Sequence, residues 1–254
     1  MTEIWVVVAA LLASAINAFA GGGTFLTFPT LTGVAGLSEK VANMTSTIGL
    51  WPGAASSVVA SRSEFRKLPR GMLVGFSIVS LMGGALGAVL LLSTSVQTFR
   101  LVVPWLLLTA TLIFAFSKPI ARWAGRKHGH RSLRWTMLVG FIQFFIAIYG
   151  GYFGAGIGVL MLAGLAFAGL DDIRQMNALK VWMGTIINGL ASGIFLFGPI
   201  EWKFAVMMAG ASVVGGFLGM AGARRVPQTM LRGVILGIGM MLTAVYFYKA
   251  YFAV

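Results

Sequence analysis

Ten apolar stretches follow one another along the chain with little between them. They run over roughly 4–20, 24–34, 41–62, 71–92, 99–117, 134–150, 157–168, 176–197, 203–222 and 230–250. A helix needs about 20 apolar residues to cross the roughly 30 Å hydrocarbon core of a bilayer. Eight of the stretches can cross, and 24–34 and 157–168 are too short. The runs are continuous instead of alternating, which argues for helices and against a β-barrel. With 58% of residues hydrophobic and 10% charged, no sizeable soluble domain fits in 254 residues. The expected fold is an all-α polytopic membrane protein with eight to ten membrane segments.

Nineteen Lys and Arg stand against six Asp and Glu, for a net charge of +13. In a soluble chain that excess would suggest nucleic acid. Here the cations lie between apolar runs, where they set orientation in the bilayer, and no nucleic-acid partner is expected. Cysteine is absent, which excludes disulfides and thiol chemistry. Residues 4–20 end in Ala18-Phe19-Ala20, which imitates a signal-peptidase site. The stretch lacks a positive n-region and runs on into glycines and more apolar sequence, so it reads as a retained membrane segment.

The chain also reads as an internal repeat. Gly83-Gly84-Ala85-Leu86-Gly87 returns as Gly215-Gly216-Phe217-Leu218-Gly219. Val96-Gln97-Thr98-Phe99-Arg100 is echoed by Pro227-Gln228-Thr229-Met230-Leu231-Arg232. Gly36-Leu37, charges and Asn43 parallel Gly169-Leu170, charges and Asn177, and glycine-rich breaks at 21–23 and 150–158 correspond. Residues 1–117 form the first transmembrane repeat, 118–134 a basic cytoplasmic linker and 135–254 the second repeat. If each glycine-broken unit crosses once, the halves are parallel and 12 of the 19 cations lie inside. If each unit goes in and comes back, the halves are inverted and 15 of 19 lie inside, with Met1 outside. The positive-inside rule favours the inverted arrangement.

The breaks read Asn17-Ala18-Phe19-Ala20-Gly21-Gly22-Gly23-Thr24 and Tyr149-Gly150-Gly151-Tyr152-Phe153-Gly154-Ala155-Gly156-Ile157-Gly158. Unwound backbone inside a bilayer survives only within protein or around a wet cavity. Paired breaks at matching places in two halves point to a transporter's binding site. The helix after each break aims N–H groups at that cavity, which favours an anion. The bland reading is close packing, since Gly154 and Gly158 have small-residue interface spacing. Packing is the expected role of Gly83/Gly87, Gly215/Gly219 and Gly233/Gly237.

Polar residues within apolar runs are Asn17, Asn43, Thr45, Ser46, Thr47, Gln143, Asn177, Lys180 and Asn188. Asn43 and Asn177 either cap long helices or face the cavity. Lys180, three residues after Asn177, either snorkels to the interface or attracts an anion. All six carboxylates fall in loops or at helix ends, so no intramembrane proton relay is expected. His128 and His130 sit in the linker, and no residue cluster suits a metal, a cofactor or catalysis.

Asn17 to Gly23 with Pro29, and Val41-Ala42-Asn43-Met44-Thr45 with Pro52-Gly53 and Arg62, resemble the first half of the sulfite exporter TauE/SafE family. Gly150 to Gly158 and Asn177-Ala178-Leu179-Lys180 resemble its second half, and Met44-Thr45-Ser46-Thr47 departs from its usual pattern. The resemblance implies a bacterial inner-membrane carrier of sulfite, sulfoacetate or other organosulfonates. The expected function is export of such an anion, and the alternatives are an anion channel or a carrier of another small organic anion. The candidate substrate-binding set is Asn17, Gly21, Gly22, Gly23, Thr24, Asn43, Thr45, Gly154, Gly156, Gly158, Asn177 and Lys180. The expected partners are a small anionic substrate and the lipid bilayer. A coupling ion and a homo-oligomer stay open.

Overall fold

The computed structural model describes residues 1–19, 21–125, 133–168, 170, 172–222 and 228–252. Every regular element among them is helical: α1 (Thr2–Phe19), α2 (Thr24–Pro29), α3 (Glu39–Ala60), α4 (Arg62–Phe65), α5 (Arg70–Ser93), α6 (Val96–Gly125), α7 (Leu133–Tyr152), α8 (Ile157–Phe167), α9 (Ile173–Phe195), α10 (Trp202–Gly222) and α11 (Gln228–Tyr251). A π-helical turn, Thr30–Val34, continues α2 past Pro29. Gly36, at φ +70°, ends this segment, and Leu37 N–H donates back to Leu31 O at 3.0 Å. Proline cannot donate, and a left-handed glycine satisfies the last carbonyls of a helix.

Four described helices are long and apolar enough to cross a membrane: Arg70–Ser93, Val96–Phe116, Ile173–Phe195 and Trp202–Gly222. Thr2–Ala18 and Met137–Tyr152 are shorter apolar helices. The two stretches judged too short to cross are the α2–π segment and α8. The expected linker is partly helical, because α6 continues to Gly125 and α7 starts at Leu133. The rest of it, with His128 and His130, lies outside the described residues, as do Gly169, Asp171, Arg224 and Arg225.

The most extensive helix packing runs between the two halves of the sequence, beside smaller contacts within each half. α10 lies against α1 and α3, while α5 lies against α7 and α9. α3 meets α9, and α6 meets α11. Small residues allow the close approaches. A Cβ built on Gly219 would lie 2.5 Å from Ala15 Cα, and one on Gly87 would lie 2.1 Å from Ile148 O. These are the backbone contacts expected of Gly83/Gly87 and Gly215/Gly219. Gly233 and Gly237 have open space around them, so the packing expected there is corrected: α11 approaches α6 at Gly239, whose Cβ would lie 2.6 Å from Thr111 Oγ1.

Polar links tie the same seams. Gly53 N–H donates to Ser212 Oγ (3.1 Å), and Ser57 Oγ donates to Gly216 O (3.1 Å), joining α3 to α10. Pro52 sits one residue before Gly53 inside α3. Gln143 Nε2 donates to Ser80 Oγ at 2.9 Å, joining α7 to α5. Successive contacts of α10 with α3 run from Gly49–Met208 through Gly53–Ser212 to Ser57–Gly216, so these helices are parallel. α6 and α11 are antiparallel, since Arg100 near the start of α6 donates to Lys249 O near the end of α11 (2.8 Å).

Candidate functional site: where the two breaks meet

Both breaks begin with the same backbone step and then diverge, with Gly22 at φ +124° and Gly23 at −58° in the first and Gly156 at +73° in the second. Gly21 N–H donates to Ile16 O at 3.1 Å, and Gly154 N–H donates to Tyr149 O at 3.2 Å. Gly21 and Gly154 have φ of +74° and +75°. Each break thus leaves its helix through a five-residue turn that a side chain would strain. Beyond it, Leu26 N–H donates to Gly23 O (2.8 Å), as Val159 N–H donates to Gly156 O (3.0 Å). The breaks touch directly, because a Cβ on Gly158 would lie 2.7 Å from Gly21 Cα. Close packing and the breaks in both helices therefore coincide.

A cavity of about 60 Å³ opens beside this crossing. Its polar lining is Ser14, Asn17, Thr24, Thr47, Ser57, Lys180 and Asn188, with Gly21, Gly154, Gly158, Phe153 and Ile157 from the breaks. No carboxylate is among the lining residues. Lys180 is 2% exposed. Its Nζ donates to Asn17 O at 3.1 Å and Ala18 O at 3.4 Å, so it does not snorkel. It sits at the negative end of α1, where a cation is favoured. Its stem passes Gly158, whose Cβ would lie 3.3 Å from Lys180 Cδ.

Of the twelve expected site residues, Asn17, Gly21, Thr24, Gly154, Gly158 and Lys180 line the cavity, and the other six do not. Asn17 Oδ1 accepts from Gly22 N–H (2.9 Å) and Gly23 N–H (2.7 Å), so these two amides are occupied and cannot also serve an anion. Gly156 faces Ala110 and Phe25 instead of the cavity. Thr45 Oγ1 accepts from Glu201 N–H at 3.1 Å, fixing the loop before α10.

Asn43 and Asn177 neither cap a helix nor reach the cavity. The N-cap positions are Ser38 and Asp172, five residues earlier, and Asp172 caps with its side chain by accepting from Arg174 N–H. Asn43 Nδ2 donates to Tyr152 O (3.0 Å) at the end of α7, and Asn177 Nδ2 donates to Ala18 O (3.1 Å) at the end of α1. Each asparagine thus ties the opposite half's broken helix. Both Oδ1 atoms are buried without a partner. Ser46 Oγ pairs with Thr27 Oγ1 at 2.7 Å, and Thr47 Oγ1 donates back to Asn43 O at 2.9 Å.

Two of the lining residues beyond the expected set had a sequence signal in their spacing. Ser14 lies three residues before Asn17, and Asn188 eight after Lys180, both on a shared helical face. Ser57 carried no such signal, because it falls in a run of small residues.

The sulfite exporter TauE/SafE family profile matches residues 6–247. A "Probable membrane transporter protein" of Haemophilus influenzae is 29% identical over 237 residues, covering 92% of this chain and 89% of its own. A "Probable membrane transporter protein ORF9" of Sinorhizobium sp is 24% identical over 243 residues, covering 93% and 90%. No solved structure matches. With apolar helices throughout and a family match over almost its whole length, this multi-pass membrane chain belongs to the sulfite exporter TauE/SafE family of transporters.

Proposed function

We propose that the protein is a secondary transporter that exports small sulfur-containing anions, such as sulfite or organosulfonates, across the bacterial inner membrane. The observation that carries this reading is Lys180: a buried ammonium in the wall of a cavity that no carboxylate lines. Lys180 Nζ rests on two carbonyls but has no carboxylate partner, and an anion in the cavity supplies the missing counter-charge. Gly158 in the first turn of α8 and the Asn17, Thr47 and Asn188 side chains supply further polar surface. By volume the cavity holds about four to six water-sized groups, enough for a trigonal oxoanion. A longer organosulfonate requires the seam between α3 and α9 to open.

In this reading the chain is two inverted repeats, 1–117 and 135–254, joined by a cytoplasmic linker. The antiparallel course of α6 and α11, which occupy matching places in the two halves, supports inversion. So does the parallel course of α3 and α10, which parallel repeats would oppose. Each α1–α2 and α7–α8 unit enters the membrane and returns, giving ten membrane segments.

Export needs no proton relay. A potential negative inside is worth about 2.3 kcal/mol per charge per 100 mV, which drives a monovalent anion outward against roughly a fiftyfold gradient. The test is flux of labelled sulfite, thiosulfate, sulfonates and carboxylates in proteoliposomes under an imposed K⁺ diffusion potential. Saturable, voltage-dependent flux that survives Asp172→Asn and Glu201→Gln supports the reading. Flux indifferent to voltage but abolished by collapsing a pH gradient overturns it, and flux linear in concentration identifies a channel.

A further inference from the structure

We infer that Trp51 sets the size limit of the anion cavity: its indole latches α3 to α9, and anions longer than the cavity pass only when that latch is released. The inference deepens the anion-transporter reading and rests on it. Two packed groups of helices meet at this latch. α1 and α3 lie against α10, α7 and α9 lie against α5, and the cavity is lined from both α3 and α9. Trp51 Nε1 donates to Thr185 O at 3.2 Å. The indole edge lies over Gly189, where a Cβ would be 2.7 Å from Nε1 and 3.1 Å from Cε2, so glycine leaves room for the ring.

Trp51 does not itself line the cavity. Its neighbours Thr47, Leu50 and Ala54 do, as Gly184 and Asn188 do on either side of Thr185. By helical spacing, Trp51 and Thr185 therefore stand at the edge of the lining stripe on each helix. Trp51 is 40% exposed, so the indole covers the seam from outside. Trp51 and Thr185 are 134 positions apart, as Asn43 and Asn177 are. A contact between matching positions of two inverted repeats falls on the axis that relates them, where one half moves against the other. One half alone supplies the bridging side chain there, because the Thr185 hydroxyl turns back to Val181 O at 2.8 Å. Pro52 follows Trp51 inside α3 and cannot donate to Ile48 O, so the helix bends most easily at that point. Beyond it Gly53, Ser56 and Ser57 are held by α10. Release of the indole thus loosens the α3–α9 seam without unseating α3 from α10.

The test is the accessibility of a cysteine placed in the cavity wall, Ala54→Cys, in a chain with no native cysteine. The probe is a methanethiosulfonate reagent carrying an ethylsulfonate group, added to purified protein in detergent. Trp51→Ala is expected to speed labelling about tenfold, and Trp51→Phe, which keeps a ring over Gly189 but loses the donor, about threefold. In proteoliposomes, Trp51→Ala should raise the flux of benzenesulfonate relative to sulfite about tenfold. Trp51→Phe keeps the test decisive where Trp51→Ala does not fold. Labelling within about twofold of the parent in either folded variant means that the indole only packs against α9, and overturns the inference. Faster labelling with an unchanged benzenesulfonate-to-sulfite ratio overturns the size limit. Labelling needs no transport, so it decides the latch even where no sulfonate is carried. Failure of the transporter reading and failure of this one are therefore distinguishable.

Discussion

Lys180 and Asn17 divide the work at one helix end. The lysine takes the Asn17 and Ala18 carbonyls near the end of α1, and the Asn17 side chain takes the Gly22 and Gly23 amides of the break. Lys180→Met removes the cavity's cation and is expected to raise the half-saturating anion concentration tenfold or more, a loss of about 1.4 kcal/mol. Initial-rate flux against concentration measures it. Asn17→Leu leaves two buried N–H groups unpaired, at about 1–3 kcal/mol each, and should lower thermal stability accordingly. Asn17→Asp keeps the acceptor but adds a negative charge beside Lys180. It should therefore fold yet transport poorly, which a melt and a flux assay on one preparation would separate. Lys180 stood out in the sequence as a cation inside an apolar run. That Asn17 closes its own break did not, because the glycines it serves lie five and six residues ahead, beyond ordinary helical spacing.

At the scale of elements, the short stretches and both breaks were legible, since glycine runs and Pro29 interrupt helices whatever surrounds them. The true extent of α6 was hidden by the charges that follow Phe116, which mark a membrane boundary and not a helix end. Packing was expected at Gly233 and Gly237, whereas Gly239 is the glycine that meets α6, because glycine spacing alone does not say which face meets a neighbour. Gly239→Leu is expected to destabilise by about 1–3 kcal/mol through collision with Thr111, while Gly237→Leu, facing open space, should be tolerated. Unfolding midpoints in detergent would decide. Gly158→Leu drives a side chain into the Gly21 backbone, and is expected to abolish flux even where protein survives extraction. Near-normal flux in that variant would make the crossing of the breaks irrelevant to transport.

For the whole molecule, recurring motifs could be read in the sequence but the packing of helices between its halves could not, because close packing between distant segments leaves no local signature. The proposed orientation rests on charge: 15 of 19 cations count as inside for the inverted arrangement, and 14 remain once the buried Lys180 is set apart. Since the chain has no native cysteine, a cysteine at Thr2 should react with an impermeant reagent applied outside, and cysteines at Gly129 and Gln228 should not. The opposite pattern would reverse the molecule in the membrane. The seating of α10 between α1 and α3 also has a consequence for biosynthesis. The ribosome releases α1 and α3 long before α10 exists, so their small-residue faces wait in lipid, without a partner, through most of translation. A fragment ending at residue 125 should therefore be degraded when made alone, and rescued when residues 133–254 are produced beside it. Assembly of this chain is in that sense the docking of two unfinished proteins.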